Sequence, residues 1–275
     1  MAVVFLFVLF FLCLKVNGAP FGAKGDHTRP SKFLVEKPNE FPWMAALFYR
    51  NVTFTCGGTI ISENFIMTAA HCVKESKRPS IVQVGKLTLN GDDGLEGKIY
   101  KIEAITRHPQ YNTTTGKNDI ALIQTREKIN FTSDIAAANL QTDTNDVDSE
   151  LIVTGWGALA FGESNSNKLL KTNLTTVPLR ECNSTWIEWN KSENLVIFRN
   201  GISNGQYCAY DPEGRRDSCH GDSGSPLQYF ANSNSSTATI VGIVSLGYFC
   251  GIPLPSIYTR VAYYVDWIES IVWPQ

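Results

Sequence analysis

The chain has 275 residues, 43% of them hydrophobic, and carries 24 Lys plus Arg against 26 Asp plus Glu for a formal net charge of −2. A nearly neutral chain with no basic block or aromatic-basic stripe lacks the electrostatic footprint of a nucleic-acid binder, so nucleic acid is excluded and protein partners are expected. The length suits one large all-β unit or two ordinary domains, and no internal repeat or long linker divides it.

Residues 1–18, MAVVFLFVLFFLCLKVNG, form an apolar run too short for a comfortable bilayer span and are read as a signal peptide ending at Val16, Asn17 and Gly18. The run has no positive n-region, which leaves a retained anchor as the alternative. No later stretch is long and apolar enough to span, so the processed chain is expected to be secreted, extracellular, monomeric and free of membrane. Residues 19 to about 40 are rich in Gly, Pro, Lys and Asp and lack apolar periodicity. Residues 19–32 are assigned to a short propeptide or N-terminal arm and 33–275 to one folded domain.

From Phe41 onward, short apolar runs (MAALFY, TIISENFIMTAA, IVQVG, ALIQT, LIVTGWG, TIVGIVSLG) alternate with Gly, Asn, Asp and Pro clusters. That spacing predicts an all-β barrel or sandwich. The polar tract at residues 231–239, ANSNSSTAT, is predicted to be an exposed hairpin loop. Val261, Val265, Ile268 and Val272 follow the three-to-four spacing of a terminal amphipathic helix.

Seven cysteines occur, and Cys13 falls in the signal segment. Cys56, Cys72, Cys182, Cys208, Cys219 and Cys250 remain, an even set that points to three disulfides, although six cysteines allow fifteen pairings. No Cys/His cluster has zinc-finger spacing. Asn-x-Ser/Thr sequons begin at Asn51, Asn112, Asn130, Asn173, Asn183, Asn190 and Asn234 and fit passage through the secretory pathway.

Three segments carry the chemistry: TAAHC around His71, NDIAL around Asp119 and DSCHGDSGSP around Ser223. Each alone is a weak signal, because a His near an apolar strand, an Asn-Asp turn and a Gly-Asp-Ser-Gly turn all have ordinary structural uses. Together they supply what acyl transfer needs. A serine hydroxyl becomes a nucleophile only when a base takes its proton, a neutral imidazole is that base near pH 7, and a carboxylate holds the imidazole in the useful tautomer.

In their order and spacing, and with FPWMAAL, CGGTIIS, TGWG, SIYTRV and DWI around them, these segments resemble the chymotrypsin-like (S1) serine proteases from Phe41 to Trp273. The stretches GRRDSCHGDSGSPLQ and SIYTRVAYYVDWIESIVWP are similar to the catalytic domains of arthropod clip-type cascade proteases, here without a cysteine-rich clip module ahead of the domain. The resemblance implies two packed six-stranded antiparallel β-barrels with a C-terminal helix, and a catalytic triad of His71, Asp119 and Ser223. It implies an oxyanion hole from the Gly221 and Ser223 amides, and a hydrogen bond from Ser245 to Asp119. Asp217 matches the acidic floor of the primary specificity pocket, lined further by Ser218, Ser245, Leu246, Gly247 and Ser256, which implies cleavage after Arg or Lys. Leu246 replaces the usual tryptophan, Phe249 and Ser256 replace glycines, and Ser225 replaces the second glycine of GDSGGP.

The same resemblance pairs Cys56 with Cys72, Cys182 with Cys208 and Cys219 with Cys250. Lys86 stands where calcium-binding relatives carry glutamate and Pro255 where sodium-activated ones carry tyrosine, so no metal or other cofactor is expected. Expected partners are protein substrates, an activating protease and a protein inhibitor. Activation is the unorthodox part. In the family, a cut after a basic residue frees an Ile-Val-Gly-Gly terminus whose ammonium pairs with the aspartate before the nucleophile, here Asp222. Counting back from Pro42 places Pro30 where the isoleucine should be. A cut after Lys32 would leave an arm about 10 Å too short, and one after Lys24 a polar terminus. The expectation is that Asp222 stays solvated in a zymogen-like loop, which keeps a non-catalytic, binding homologue as the rival to a secreted endopeptidase. A glycan-coated structural protein would explain the sequons but not the triad.

Overall fold

The computed structural model describes residues 32–160, 162–232, 234–246, 250 and 254–275. The proposed signal peptide, the arm before Lys32, and the pocket positions Gly247 and Phe249 lie outside the described residues.

The chain opens with a two-residue strand, β1 (Phe33–Leu34). Six strands follow: β2 (Met44–Tyr49), β3 (Thr53–Ile60), β4 (Phe65–Thr68), β5 (Ile81–Val84), β6 (Lys98–Arg107) and β7 (Ala121–Thr125). They close into an antiparallel barrel in the order β2-β3-β4-β7-β6-β5. Val, Ile, Leu, Met and Phe dominate these runs, and the core-facing side chains Leu47, Ile60, Ile66, Met67, Leu122 and Ile123 are at most 1% exposed. β8 (Asn139–Leu140) crosses over to the second half of the chain.

The second barrel is built from β9 (Leu151–Gly155), β10 (Leu170–Val177), β11 (Gln206–Tyr210), β12 (Pro226–Tyr229), β13 (Thr239–Leu246) and β14 (Ser256–Arg260). The path β10-β11-β14-β13-β12-β9 closes through the β9–β10 pairing, with β1 added on β10 and β8 on β13. Its core holds Leu151, Leu174, Leu227, Val241 and Tyr258. Two six-stranded antiparallel barrels are therefore present. A buried hydrogen bond from Trp43 Nε1 to Gln228 Oε1, 2.6 Å, ties the first to the second. Both side chains are fully buried, so the pair fixes how the barrels dock.

Cys56–Cys72, Cys182–Cys208 and Cys219–Cys250 are disulfide-bonded. The terminal helix α2 (Val265–Val272) follows a short 3-10 turn, and Val261, Tyr264 and Ile268 pack into the core. In the 231–239 tract, Ala238 is fully buried and Thr239 already belongs to β13, so the exposed loop ends at residue 237. Sequence pattern named no helix where α1 (Leu179–Glu193) lies. It seats Cys182 and Trp186 against Phe198, with the Trp186 and Phe198 rings stacked 4.1 Å apart.

The loop after β5 is closed by its own charges. Lys86 Nζ pairs with Asp93, whose other carboxylate oxygen accepts from the Leu87 and Thr88 amides at 2.8 and 2.9 Å. Burial acts to raise the Asp93 carboxyl, but the Lys86 ammonium, the amide and hydroxyl of Thr88 and the Leu95 amide outweigh it and bring it from 3.8 to about 2. A carboxyl depressed by folding stabilises the fold fully above its unfolded pKa and loses that contribution as pH falls through its folded value. The stability gap between wild type and Asp93→Asn is thus expected to be on the order of 2 kcal/mol at pH 6. It should shrink from about pH 3.8 toward pH 2 in urea titrations; a gap that does not change with pH would refute the assignment.

Candidate active site

His71 sits on the single turn Ala70–Val73 that follows β4, and the Cys56–Cys72 disulfide pins that turn to β3. Asp119 lies just before β7, after Asn118, whose φ of +57° is a left-handed conformation that Asn tolerates. The Asp119 carboxylate is 1% exposed. It accepts from the His71 amide at 2.8 Å and from Ser245 Oγ at 2.6 Å, and lies 2.7 Å from His71 Nδ1. A buried carboxylate offers only lone pairs, so Nδ1 carries the proton and Nε2 presents its lone pair outward. Thr259 Oγ1 donates to the Asp119 carbonyl at 2.7 Å. Ser245 and Thr259 belong to the second barrel, so a residue of the first barrel is held by two side chains of its neighbour. Burial, and after it the Asp119 charge, pushes the nearby Tyr111 phenol up to about 12, leaving it neutral.

Ser223 rides on a tight turn between Cys219 and Ser225. Gly221 has φ +93°, and a Cβ there would come within 2.4 Å of Asn165 Oδ1 and 3.0 Å of the Gly157 backbone, so glycine is required. The Gly57 amide of β3 donates to the Ser223 carbonyl at 2.8 Å and the Gly224 amide to Val244 O at 2.9 Å, which locks the turn between the barrels. Among the described residues, neither the Gly221 nor the Ser223 amide has a protein acceptor. Ser223 Oγ makes no hydrogen bond to His71 Nε2 in this conformation, and Nε2 lies 3.7 Å from Cys72 Sγ. Such contacts commonly tighten only when substrate binds.

Ser225 is fully buried and its hydroxyl has no hydrogen-bond partner among the described residues. It fits because the facing residue is Gly57, where a Cβ would stand 1.9 Å from Ser225 Oγ.

Asp217 is 7% exposed, and the buried Ser256 hydroxyl donates to its Oδ1. Tyr258, wholly buried beside it, has its phenol pushed far up by burial and then by the Asp217 charge. A cavity of about 90 Å³ opens beside Ser223 between Ser218, Ser245 and Leu246. Asp217 and Ser256 are not on its wall. The sequons fall into two groups. Asn51, Asn112, Asn130 and Asn234 are exposed, whereas Asn173, Asn183 and Asn190 are half-buried and spend side-chain atoms on Glu150, Ile202 and Leu195.

Asp222 departs from the expectation of a solvated carboxylate, because it is 2% exposed. Its oxygens accept from the Gly157 and Cys219 amides, both at 2.8 Å, and from Lys32 Nζ at 2.5 Å. Composition places Lys32 in the arm, yet its side chain is 3% exposed inside the body of the fold. Residue-type matching could not find it, since the position where an amino terminus was sought carries a side-chain ammonium instead.

A family model described as Trypsin matches residues 34–268. Serine protease Hayan of Drosophila melanogaster is 36% identical over 241 residues, covering 85% of this chain and 37% of that protein. Serine protease snk of the same species is 35% identical over 86% of this chain and 55% of its own length. The trypsin of Phaedon cochleariae is 31% identical over 96% of this chain and 98% of its own length. The chain thus spans about half or less of the first two relatives and nearly all of the third. With two closed barrels, a His–Asp pair held across them and a Gly-Asp-Ser turn bonded to both, the chain belongs to the trypsin family of serine proteases.

Proposed function

We propose that the protein is a secreted serine endopeptidase that cleaves peptide bonds after Arg or Lys in an extracellular proteolytic cascade. The observation that carries this reading is the hydrogen-bonded series Ser245–Asp119–His71 set beside the turn of Ser223. The names of the arthropod serine proteases it resembles support the serine-protease activity. Among the described residues no helix is long and apolar enough to cross a membrane, and three disulfides suit an oxidising compartment.

In this reading His71 Nε2 takes the Ser223 proton as Oγ attacks the substrate carbonyl. The carbonyl oxygen gains negative charge and moves toward the Gly221 and Ser223 amides, which bond to no acceptor among the described residues and can receive it. Asp119 stabilises the imidazolium that forms. His71 then returns the proton to the departing amine, leaving an acyl ester on Ser223, and a water activated by the same imidazole releases the acid.

In this reading the preference for a cationic side chain comes from Asp217, whose buried carboxylate lies next in sequence to the cavity-lining Ser218 and favours a cation over an apolar group in that cavity. Asp217→Ser is expected to remove the Arg/Lys preference, lowering kcat/KM on Arg substrates by about 10²-fold or more. Profiling against a peptide library checks this, and a wild-type preference for Phe, Leu or Ala would refute it. Labelling of the purified chain by an active-site serine probe tests the activity itself. No labelling before or after limited proteolysis would leave the non-catalytic homologue as the better reading.

A further inference from the structure

We propose that Lys32 is the built-in counter-ion of Asp222, a positioning residue that holds the oxyanion turn in its working shape in the uncut chain, so that this protein needs no activation cleavage. The inference rests on the catalytic reading above.

Asp222 precedes the nucleophile and follows Gly221, so its side chain sets the path of both amides that would bind the oxyanion. It is anchored inside the fold by two backbone donors and one cation. A buried carboxylate whose cation is removed is left uncompensated, which drives the turn toward solvent and takes the Gly221 amide with it. The socket is shaped for this carboxylate. A Cβ at Gly155 or Gly157 would lie 2.3 or 2.5 Å from its atoms.

Lys32 is placed there by the backbone after it. Phe33 and Leu34 pair with Lys171 and Leu170 of β10, the Val35 amide donates to Leu169 O at 3.0 Å, and Val35 is buried. Leu170 in turn faces Gly155 of β9, next to the socket. With the strand held in that register, the Lys32 side chain reaches Asp222 and donates a second bond to Ala158 O at 3.1 Å. An ammonium at 3% exposure with two protein acceptors is a docked group and not a solvated one.

The arrangement reverses the usual meaning of a cut at a basic residue. Cleavage of the Lys32–Phe33 bond would detach the cation, while the new Phe33 ammonium would start at a residue paired with Lys171. Proteolysis there should switch the enzyme off.

The test uses the full secreted chain, uncut by N-terminal sequencing, as wild type, Lys32→Met and Lys32→Arg. Wild type is expected to label with a fluorophosphonate at near one site per chain. Lys32→Met should lower kcat/KM by about 10²- to 10³-fold, the scale of losing an oxyanion donor, and Lys32→Arg should restore part of it. Labelling that appears only after cleavage, or equal activity in Lys32→Met, overturns the proposal while leaving the catalytic reading intact. Hydrogen exchange across residues 219–225 tests the counter-ion role even in a chain that never reacts. Protection lost in Lys32→Met at those residues, with both barrels unchanged, supports that role, and unchanged protection overturns it.

Discussion

Ser223→Ala is expected to lower kcat by about 10⁴ to 10⁶ while the chain folds as before. Ser223 Oγ, the proposed attacking atom, bonds to no described residue, and the turn beneath it is held by the Gly57, Gly224 and Ser225 amides, which the substitution leaves untouched. Losing one half-buried hydroxyl therefore removes the attacking atom without removing a fold contact. Turnover of a peptide amide and a thermal melt on the same preparation decide the point. Hydrolysis at a comparable rate would mean that another residue attacks.

Asp119→Asn should cost about 10⁴ in kcat with little change in KM. The His71 amide donates to one carboxylate oxygen, and the Ser245 hydroxyl donates to the other, which also lies against His71 Nδ1. An asparagine can keep its oxygen on the His71 amide, but its NH₂ then takes the second place, where the Ser245 hydroxyl can turn to accept and His71 Nδ1 faces a donor. The ring must accept there, its proton moves to Nε2, and Nε2 can no longer take the proton of Ser223. Binding surfaces stay as they were, so a loss confined to kcat is the expected signature. A variant with near-normal kcat would show that Asp119 does not set the tautomer.

The all-β class was legible in short apolar runs between turn residues, which leave barrel and sandwich both open; the two barrels, and the grouping of His71, Asp119 and Ser223, were legible only through the family resemblance that their segments carry together. α1 was not. Its sequence places Asn183, Ser184 and Thr185, poor helix formers, in the second turn, and its start at Pro178 has no side-chain cap, so tertiary burial of Cys182 and Trp186 outweighs weak local preference. Nor was the partner of Asp222 legible. An ion pair across 190 positions leaves no periodic trace, and Lys32 lies in a stretch whose composition resembles a disordered arm. Ser256 was recognised as a departure, but its donation to Asp217 depends on a side-chain direction that only the fold supplies.

The sharing of Asp119 between barrels has a consequence for biosynthesis. During translation the amino-terminal barrel can form first, carrying His71 and Asp119 on its edge, while Ser223, Ser245 and Thr259 are still being made. At that stage Asp119 lacks two of its donors and Ser223 has not been made. In the proposed reading, a chain whose second barrel is not yet docked is thus inert toward its unfolded siblings, and competence arrives with the docking of the two halves.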